Sequence, residues 1–321
     1  MKALQWVVVA SVSCVTMASV AAPDQSSDKR VVLIVPYAPG GQTDNAARLL
    51  AKQMTSTLGQ AVIVENRTGG GGAVGTKALI NAAPDGSSIM LNTASTHLLP
   101  MLNPRVGYDA DTQLQPIARL TSAPMILVVR ADSNWKSLGE MVAAGKTKSV
   151  TYSSSGVGTT NHLAGELLAS LTGIKAIHVP YRGGPQVTQA VLAGEVDFAI
   201  DTVVSTMPLI KAGRLRALGK TAPSSLPELA SIPTISEGGY PTYLATTWTG
   251  AYAPAATPAS VVARLQDAFS KALKDPEVAE HLRQMGSPAA FLPAAEFKTT
   301  IAGEKARYGN LIKVQGIRLE Q

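Results

Sequence analysis

Short β-branched runs alternate with amphipathic stretches along most of the chain. Val31 to Val35 is an uninterrupted apolar run, the right length for a buried strand and too short for a helix. From Ala46 to Leu58, the residues Ala47, Leu50, Ala51, Met54 and Leu58 recur at helical spacing before Gly59, which predicts an amphipathic helix closed by a glycine cap. The rhythm returns at Val62 to Val64, Ile89 to Leu91, Ile126 to Val129, Val150 to Tyr152 and Phe198 to Ile200. Such alternation predicts an α/β protein with parallel sheets. Residues 220 to 258 hold Pro223, Pro227, Pro233, Pro241, Pro254 and Pro258 and read as extended, turn-rich connection. Beyond Pro258 the pattern predicts helices only. Val261, Val262, Leu265, Ala268, Phe269 and Leu273 form one apolar face, Asp275-Pro276 restarts a helix, and Phe297, Ile301, Tyr308 and Leu311 close the chain.

The first 22 residues follow another pattern. After Lys2, Ala3 to Ala22 is apolar with small polar interruptions and ends on Ser19-Val20-Ala21-Ala22 before Pro23, the form of a secretory signal peptide cut after Ala21 or Ala22. Export changes the meaning of the single cysteine. Cys14 lies inside the leader, so the exported chain carries no thiol for a disulfide, a nucleophile or a cysteine metal site. Ser11 to Cys14 faintly resembles a lipoprotein cleavage box, with Ser11 where a leucine is usual, so lipidation at Cys14 is the alternative fate. Elsewhere no apolar run approaches the roughly 18 residues that span a bilayer.

With 321 residues, 45% apolar and 16% charged, the chain can bury a substantial core over two domains. A net charge of +6 without any long run of like charge, and only 5% aromatics, argue against nucleic-acid binding. The mild positive field suits small anions instead.

Two loops carry the chemistry. Pro36-Tyr37-Ala38-Pro39-Gly40-Gly41-Gln42-Thr43-Asp44 leaves a strand, turns at two glycines and enters a helix, with Thr43 or Asp44 as the candidate N-cap. Val150 to His162 repeats the design through Ser153-Ser154-Ser155-Gly156-Val157-Gly158-Thr159-Thr160, followed by an amphipathic helix with Leu163, Leu167, Leu168 and Leu171. Unpaired N–H groups at a helix start and the helix dipole both favour an anion there. Two such loops in different α/β units suit a cleft that grips a ligand from both sides. Asp201, closing the strand Phe198 to Ile200, stands where α/β proteins place ligand contacts.

Other chemistries find less support. Gly70-Gly71-Gly72-Ala73-Val74-Gly75 matches G-x-G-x-x-G, but the next strand ends in Asn92-Thr93-Ala94-Ser95 without the acidic residue a dinucleotide site needs. These glycines read as a tight loop with close helix packing. No G-x-S-x-G elbow or H-E-x-x-H is present, and His97, His162, His178 and His281 show no metal spacing. A secreted α/β hydrolase using Ser154 and His162 remains the rival reading; it requires a base and an orienting acid within reach.

The motifs Pro36-Tyr37 to Asp44, Val64-Glu65-Asn66-Arg67, Ala83-Pro84-Asp85-Gly86, Ser154 to Thr159 with His162 to Leu167, Val179-Pro180-Tyr181-Arg182-Gly183, Leu192 to Asp197 and Trp248-Thr249-Gly250 together resemble the Bug-type solute receptors. Those are the extracytoplasmic binding proteins of tripartite tricarboxylate transporters, and the resemblance runs through the whole mature chain in order. It implies a two-domain, type II periplasmic-binding-protein-like α/β fold with a ligand cleft at the hinge. It also implies a small carboxylate ligand held largely by main-chain N–H groups and waters, with no cofactor, no metal and no catalysis. By motif position the ligand shell would be Tyr37, Ala38, Gly41 and Gln42 from the first loop, Ser154, Gly158, Thr159 and Thr160 from the second, and Tyr181 and Asp201 beside them. Thr159 is expected to give the ligand its hydroxyl and its backbone N–H. The expected partners are the ligand and the membrane subunits of such a transporter, for a periplasmic monomer. Because two sheets sharing a cleft require the chain to cross twice, domain one is expected at 29–122 plus 245–321 and domain two at 123–244.

Overall fold

The apolar runs become strands because each is too short for a helix and is bounded by turn residues. The computed structural model describes residues 30–181 and 184–317. The leader with its cleavage site and Cys14, together with Arg182 and Gly183, lies outside the described residues. The first half supplies β1 (Val31–Val35), α1 (Gln42–Leu58), β2 (Val62–Asn66), α2 (Ala73–Ile80), β3 (Ser88–Asn92), α3 (Ser95–Leu102), α4 (Ala110–Gln113) and β4 (Leu114–Arg130). Then follow α5 (Leu138–Thr147), β5 (Val150–Ser154), α6 (Thr160–Thr172), β6 (Ala176–Pro180), α7 (Gly184–Ala193), β7 (Phe198–Thr202), α8 (Val203–Lys211) and β8 (Leu215–Lys220). The chain ends in β9 (Thr246–Pro254), α9 (Ala259–Lys274), α10 (Pro276–Gln284), β10 (Ala289–Pro293) and α11 (Ala294–Gln315).

The strands run in the order β2-β1-β3-β9-β4-β7-β5-β6, with β10 and β8 paired to β4. Each end is a parallel unit, β2-β1-β3 and β6-β5-β7, and the middle is antiparallel. The expectation of parallel sheets thus holds at the flanks and fails at the centre. The long strand β4 joins the two parts: Leu114 to Pro124 pair with β9, and Met125 to Val129 pair with β7.

This arrangement fixes where strand ends point. β3 is antiparallel to β9, which is antiparallel to β4, so β1 and β3 run with β4 toward Pro124. On the other side β7 is antiparallel to β4 with Thr202 opposite Met125, so β7 and its parallel neighbour β5 run back toward the same point. The carboxyl ends of both parallel units therefore face the β4 crossover from opposite sides.

Three elements correct the sequence reading. β9 occupies residues expected to be irregular connection, and from Trp248 to Pro254 it is buried. Its prolines misled because Pro254 only ends the strand, and Gly250 is required by packing: a Cβ there would come within 2.3 Å of Phe297 Cζ. β10 interrupts a region expected to be wholly helical; Ala289 to Pro293 pair antiparallel along β4. β4 itself spans 17 residues rather than the few around Ile126 to Val129. Pro116 is tolerated there beside a register shift, and Pro124 where the ladder to β9 ends.

The largest apolar core spans both parts of the sheet, bringing Tyr152, Leu163 and Phe198 into one cluster with Trp248, Tyr252 and Phe297. Two smaller cores lie under α1 with α9 and under α7 with α8. Burying each such side chain contributes roughly 1.5 to 3 kcal/mol.

The chain recrosses at Ala245–Thr246, and one buried hydroxyl ties the two crossings. Thr221 Oγ1 accepts from the Met125 N–H at 2.8 Å and donates to the Ala245 carbonyl at 2.6 Å. Thr221→Val keeps the shape but leaves both buried backbone groups unpaired. It is expected to lower unfolding free energy by roughly 2 to 4 kcal/mol, measured by urea unfolding; an unchanged midpoint would deny this hydroxyl its role.

Candidate functional site

The first loop leaves β1 and turns at Gly40, whose φ of +80 belongs to the left-handed region glycine tolerates. The N-cap of α1 is Gly41, neither Thr43 nor Asp44, and no side chain caps the helix start. The N–H groups of Gln42, Thr43 and Asp44 therefore lack helical acceptors. The buried Asp44 carboxylate turns back on the loop. It accepts from the Gly40 N–H at 2.8 Å, from Arg48 at 2.9 and 3.0 Å, and from Asn66 Nδ2 at 2.8 Å. Asn66 Nδ2 also donates to the Tyr37 carbonyl at 3.0 Å. Burial works to raise the Asp44 carboxyl, but the bonds from Arg48, Gly40 and Asn66 outweigh it and hold the group below the usual carboxylate range.

Tyr37 is locked from the other side. Its hydroxyl donates to Asn92 Oδ1 at 2.7 Å and lies 2.9 Å from Thr93 Oγ1 and 2.7 Å from Ser95 Oγ. The turn after β3 thus belongs with the first loop, a grouping the sequence reading missed. The available signal was a cluster of Asn, Thr and Ser at a strand's carboxyl end. Ala38 and Gly41 are exposed and Gln42 half-buried at the same edge. Behind them, Gly75 lets α2 pack closely, since a Cβ there would come within 2.7 Å of Pro36.

The second loop spends most of its donors internally. Gly156 and Gly158 have φ of +128 and +81. The Gly156 N–H donates to Ser154 Oγ at 3.1 Å, and the Gly158 N–H to His162 Nδ1 at 3.1 Å. Thr159 is the N-cap of α6 without capping it. Its N–H reaches the Gly156 carbonyl at 3.3 Å, and its hydroxyl lies 2.6 Å from both that carbonyl and Asn161 Oδ1. The Thr159 hydroxyl and N–H expected to serve a ligand are thereby turned into the loop. Asn161, absent from the sequence candidates, gathers the Ser155 hydroxyl at 3.1 Å and the His162 N–H at 3.1 Å on the same oxygen. Its Nδ2 is buried without a partner. The donors left over at this helix start are the N–H groups of Thr160 and Asn161 and Asn161 Nδ2.

Beneath the loop lie two neutral histidines. The rings of His162 and His178 are 4.0 Å apart. Burial lowers His162 to about 3, with His178 adding to the effect, and burial lowers His178 to about 4. Because His162 Nδ1 accepts from Gly158, its proton resides on Nε2, 3.8 Å from Glu166. Ser154 Oγ lies 2.6 Å from His178 Nε2, so the serine meets His178 and not the His162 of the hydrolase reading. Among the described residues no carboxylate orients His178.

Tyr181 donates its N–H to the Ser154 carbonyl and its hydroxyl to Glu195, both at 2.8 Å. Asp201, next to last in β7, lies opposite Ile126, one residue short of the Met125–Thr202 pair at the crossover. One carboxyl oxygen accepts the Thr202 N–H at 2.8 Å; the other is buried and unpaired. Burial pushes this carboxyl up to about 7. Ser154, Gly158, Thr159, Thr160, Tyr181 and Asp201 thus gather at the carboxyl ends of β5, β6 and β7, and Tyr37, Ala38, Gly41 and Gln42 at that of β1.

Comparison with known proteins gives this geometry a context. A family profile described as the tripartite tricarboxylate transporter family receptor matches residues 46–317. A protein encoded in the tcbD-tcbE intergenic region of a Pseudomonas species is 37% identical over 270 residues, covering 83% of this chain and 80% of its own. BugT of Bordetella pertussis is 29% identical and covers 95% of this chain and 96% of its own. Among solved structures, the periplasmic binding protein BugD superposes with a TM-score of 0.78 at 31% identity, covering 91% of this chain and 99% of its own. MatC from Rhodopseudomonas palustris, solved with bound malate, gives 0.75 at 30% identity over 88% of this chain and 99% of its own. A protein of R. palustris solved with adipate gives 0.80 at 28% identity, covering 91% and 99%.

The raised Asp201 pKa carries a sign. The folded chain keeps a proton that the unfolded chain, with an aspartate near 3.8, releases first, so this group's contribution to stability falls as pH rises from about 4 to about 7. The lowered histidines act oppositely over most of that window, up to about pH 6.5, which makes a difference measurement necessary. Asp201→Asn is expected to gain stability relative to the parent as pH rises from 4.5 to 7.5. Urea unfolding at several pH values checks it, and a constant gap would refute a buried, late-ionising Asp201.

Proposed function

Because the chain belongs to the tripartite tricarboxylate transporter receptor family, a family of periplasmic binding proteins and not of enzymes, we propose that it is a periplasmic receptor that binds a small carboxylate and delivers it to the membrane subunits of such a transporter. The observation that carries the reading is the pair of uncapped helix starts, α1 and α6, at strand ends that face one crossover from opposite sides. Backbone N–H groups held in place by Asp44 on one side and Asn161 on the other suit a carboxylate and add no competing charge. The relatives solved with malate and adipate support the ligand class.

On this reading Tyr37, Ala38, Gly41 and Gln42 meet one end of the ligand, and Ser154, Gly158, Thr160, Tyr181 and Asp201 line the other side with Asn161. Thr159 shapes the loop. The halves close about the two crossings, near 124–125 and 245–246. A buried Asp201 that retains its proton offers a donor to a ligand oxygen, where an ionised carboxylate would repel an acid.

A screen with malate and adipate tests the class. A bound acid stabilises the fold by about 2.7 kcal/mol at a hundredfold excess over its Kd, and the corresponding diamides should do nothing. Stabilisation by diamides or sugars, with none by acids, would reject the reading.

Two variants test the shell by calorimetry and unfolding. Asn161→Asp keeps the accepting oxygen and replaces the unpaired donor by an anion, so carboxylate affinity should fall by about tenfold or more, or at least 1.4 kcal/mol. Thr159→Ala removes the hydroxyl held between the Gly156 carbonyl and Asn161 Oδ1, which should cost about 0.5 to 1.5 kcal/mol of stability and leave affinity nearly unchanged. Lost affinity at normal stability would instead return the Thr159 hydroxyl to the ligand.

A further inference from the structure

The helix α11 holds the second crossing at two points. Arg307 Nη1 donates to the Leu244 carbonyl at 2.9 Å, one residue before Ala245, whose carbonyl Thr221 binds. One turn earlier on the helix, Glu304 accepts from Trp248 Nε1 at 2.9 Å. The segment 244–248 therefore runs between two anchors on one helix. That helix also reaches both parts of the sheet, since Tyr308, Leu311 and Ile312 share an apolar cluster with Leu163 and Leu167 of α6 and with Trp248 of β9.

The two anchors differ in kind. The bond from Arg307 to Leu244 lies at the surface, whereas Glu304 is 8% exposed. Among the described residues Trp248 Nε1 is the only hydrogen-bond partner of Glu304. The polar groups around it are Arg307 and Tyr308 on α11, Arg119 on β4, and Trp248 and Tyr252 on β9. Arg307 is engaged by Leu244, and Arg119, which also feels Glu296, donates Nε to the Ala290 carbonyl at 3.1 Å. The hydroxyls of Tyr252 and Tyr308 are buried without partners.

A buried carboxylate needs its charge paired and its oxygens hydrogen-bonded, and this one has a single donor. Burial accordingly pushes Glu304 up to about 7, against the Trp248 bond and the attraction of Arg307 and Arg119. Neutral, the carboxyl is served by its one bond and the helix stays seated. Ionised, it calls for water or the free tyrosine hydroxyls, and the helix must shift to admit them.

We infer that α11 is a clasp on the hinge and that the charge on Glu304 sets its grip. With the carboxyl neutral the helix holds 244–248 and restrains the halves; with it ionised the helix lifts and frees them. This rests on the two-crossing hinge proposed above and not on the ligand, so the test uses none.

On the mature chain, the indole N–H resonance of Trp248 should titrate with a midpoint near 7. It should stay fixed in Glu304→Gln, whose amide oxygen keeps the Trp248 bond without a charge. With the seated carboxyl near 7 and the released one near 4.5, linkage makes release about thirtyfold easier at about pH 8.5 than at about pH 5.5. Hydrogen exchange, corrected for its intrinsic pH dependence, should show that loss of protection in the α11 amides and not in those of α9. Glu304→Gln should abolish the loss, and Arg307→Ala should lower α11 protection at both ends of the range. Spin labels placed by Lys52→Cys on α1 and Lys211→Cys on α8, both exposed, read the halves, the one native cysteine lying in the leader. Their distance distribution should broaden with pH in the parent and in Asp201→Asn, and not in Glu304→Gln. Broadening that persists in Glu304→Gln or vanishes in Asp201→Asn would overturn the inference. So would an indole that does not titrate, or one that titrates while the label distances ignore pH, because Glu304 would then have no hold on the hinge. A chain that binds neither malate nor adipate yet passes this test would lose the ligand reading and keep the clasp.

Discussion

The hydroxyl of Thr221, held between the Met125 N–H and the Ala245 carbonyl, sits where both passages between the sheets meet. A backbone group buried at a crossing has no ladder partner of its own and needs one supplied. Here one side chain serves both passages where the β4–β9 ladder ends. The ladders themselves set strand direction: β1 and β3 come down to the crossover from one side, β5 and β7 from the other. The helix starts that follow β1 and β5 thus lie at strand ends that approach the crossover from opposite sides.

The two loops solve one electrostatic problem with different materials. An anion site made of N–H groups works only if those groups are not capped by the protein's own side chains. The first loop diverts its acidic residue, Asp44, onto Gly40, Arg48 and Asn66. The second uses a neutral amide oxygen, that of Asn161, to gather nearby donors, and a neutral imidazole to take the Gly158 N–H. In the first loop those bonds point away from the open helix start; in the second Asn161 takes the His162 N–H and leaves those of Thr160 and Asn161 open. A protonated His162 would lose its acceptor and release Gly158, so the burial that keeps the ring neutral also keeps the loop in shape.

Much of this was legible in the sequence, and the gaps have physical causes. Short β-branched runs such as Val31 to Val35 and Phe198 to Ile200 announced strands because nothing else about five residues long buries so well. β9 was hidden by proline density, since Trp248, Gly250 and Tyr252 pack on Phe297 from a distant helix and alternate with Ala251 and Ala253, which face another core. β10 was hidden because an edge strand of five residues ending in proline resembles a helix approach. In the site, glycine and hydroxyl clusters located both loops, because close approach and turning demand those residues locally. The roles of Asn92 and His178 depend on Tyr37, 55 residues from Asn92, and Ser154, 24 residues from His178, and no local pattern encodes those meetings.

Asp201 shows why loop conformation and ligand discrimination can be carried by different residues. The N–H groups of α1 and α6 are set by loop shape and would meet any carboxylate alike. Asp201 lies outside those loops, on a strand end beside the crossover, with one oxygen tied to Thr202 and the other free of protein partners. Its burial raises the cost of ionisation and pushes the carboxyl up to about 7, so a substantial share of molecules keeps the proton near neutral pH and nearly all keep it a unit or more below. On the proposed carboxylate reading, a donor placed there rewards a ligand oxygen at one distance from the carboxylate that the loops would hold, and penalises an ammonium group less than a second fixed cation would. On the same reading, substitutions around β7 retune which acid is favoured and leave those loops intact.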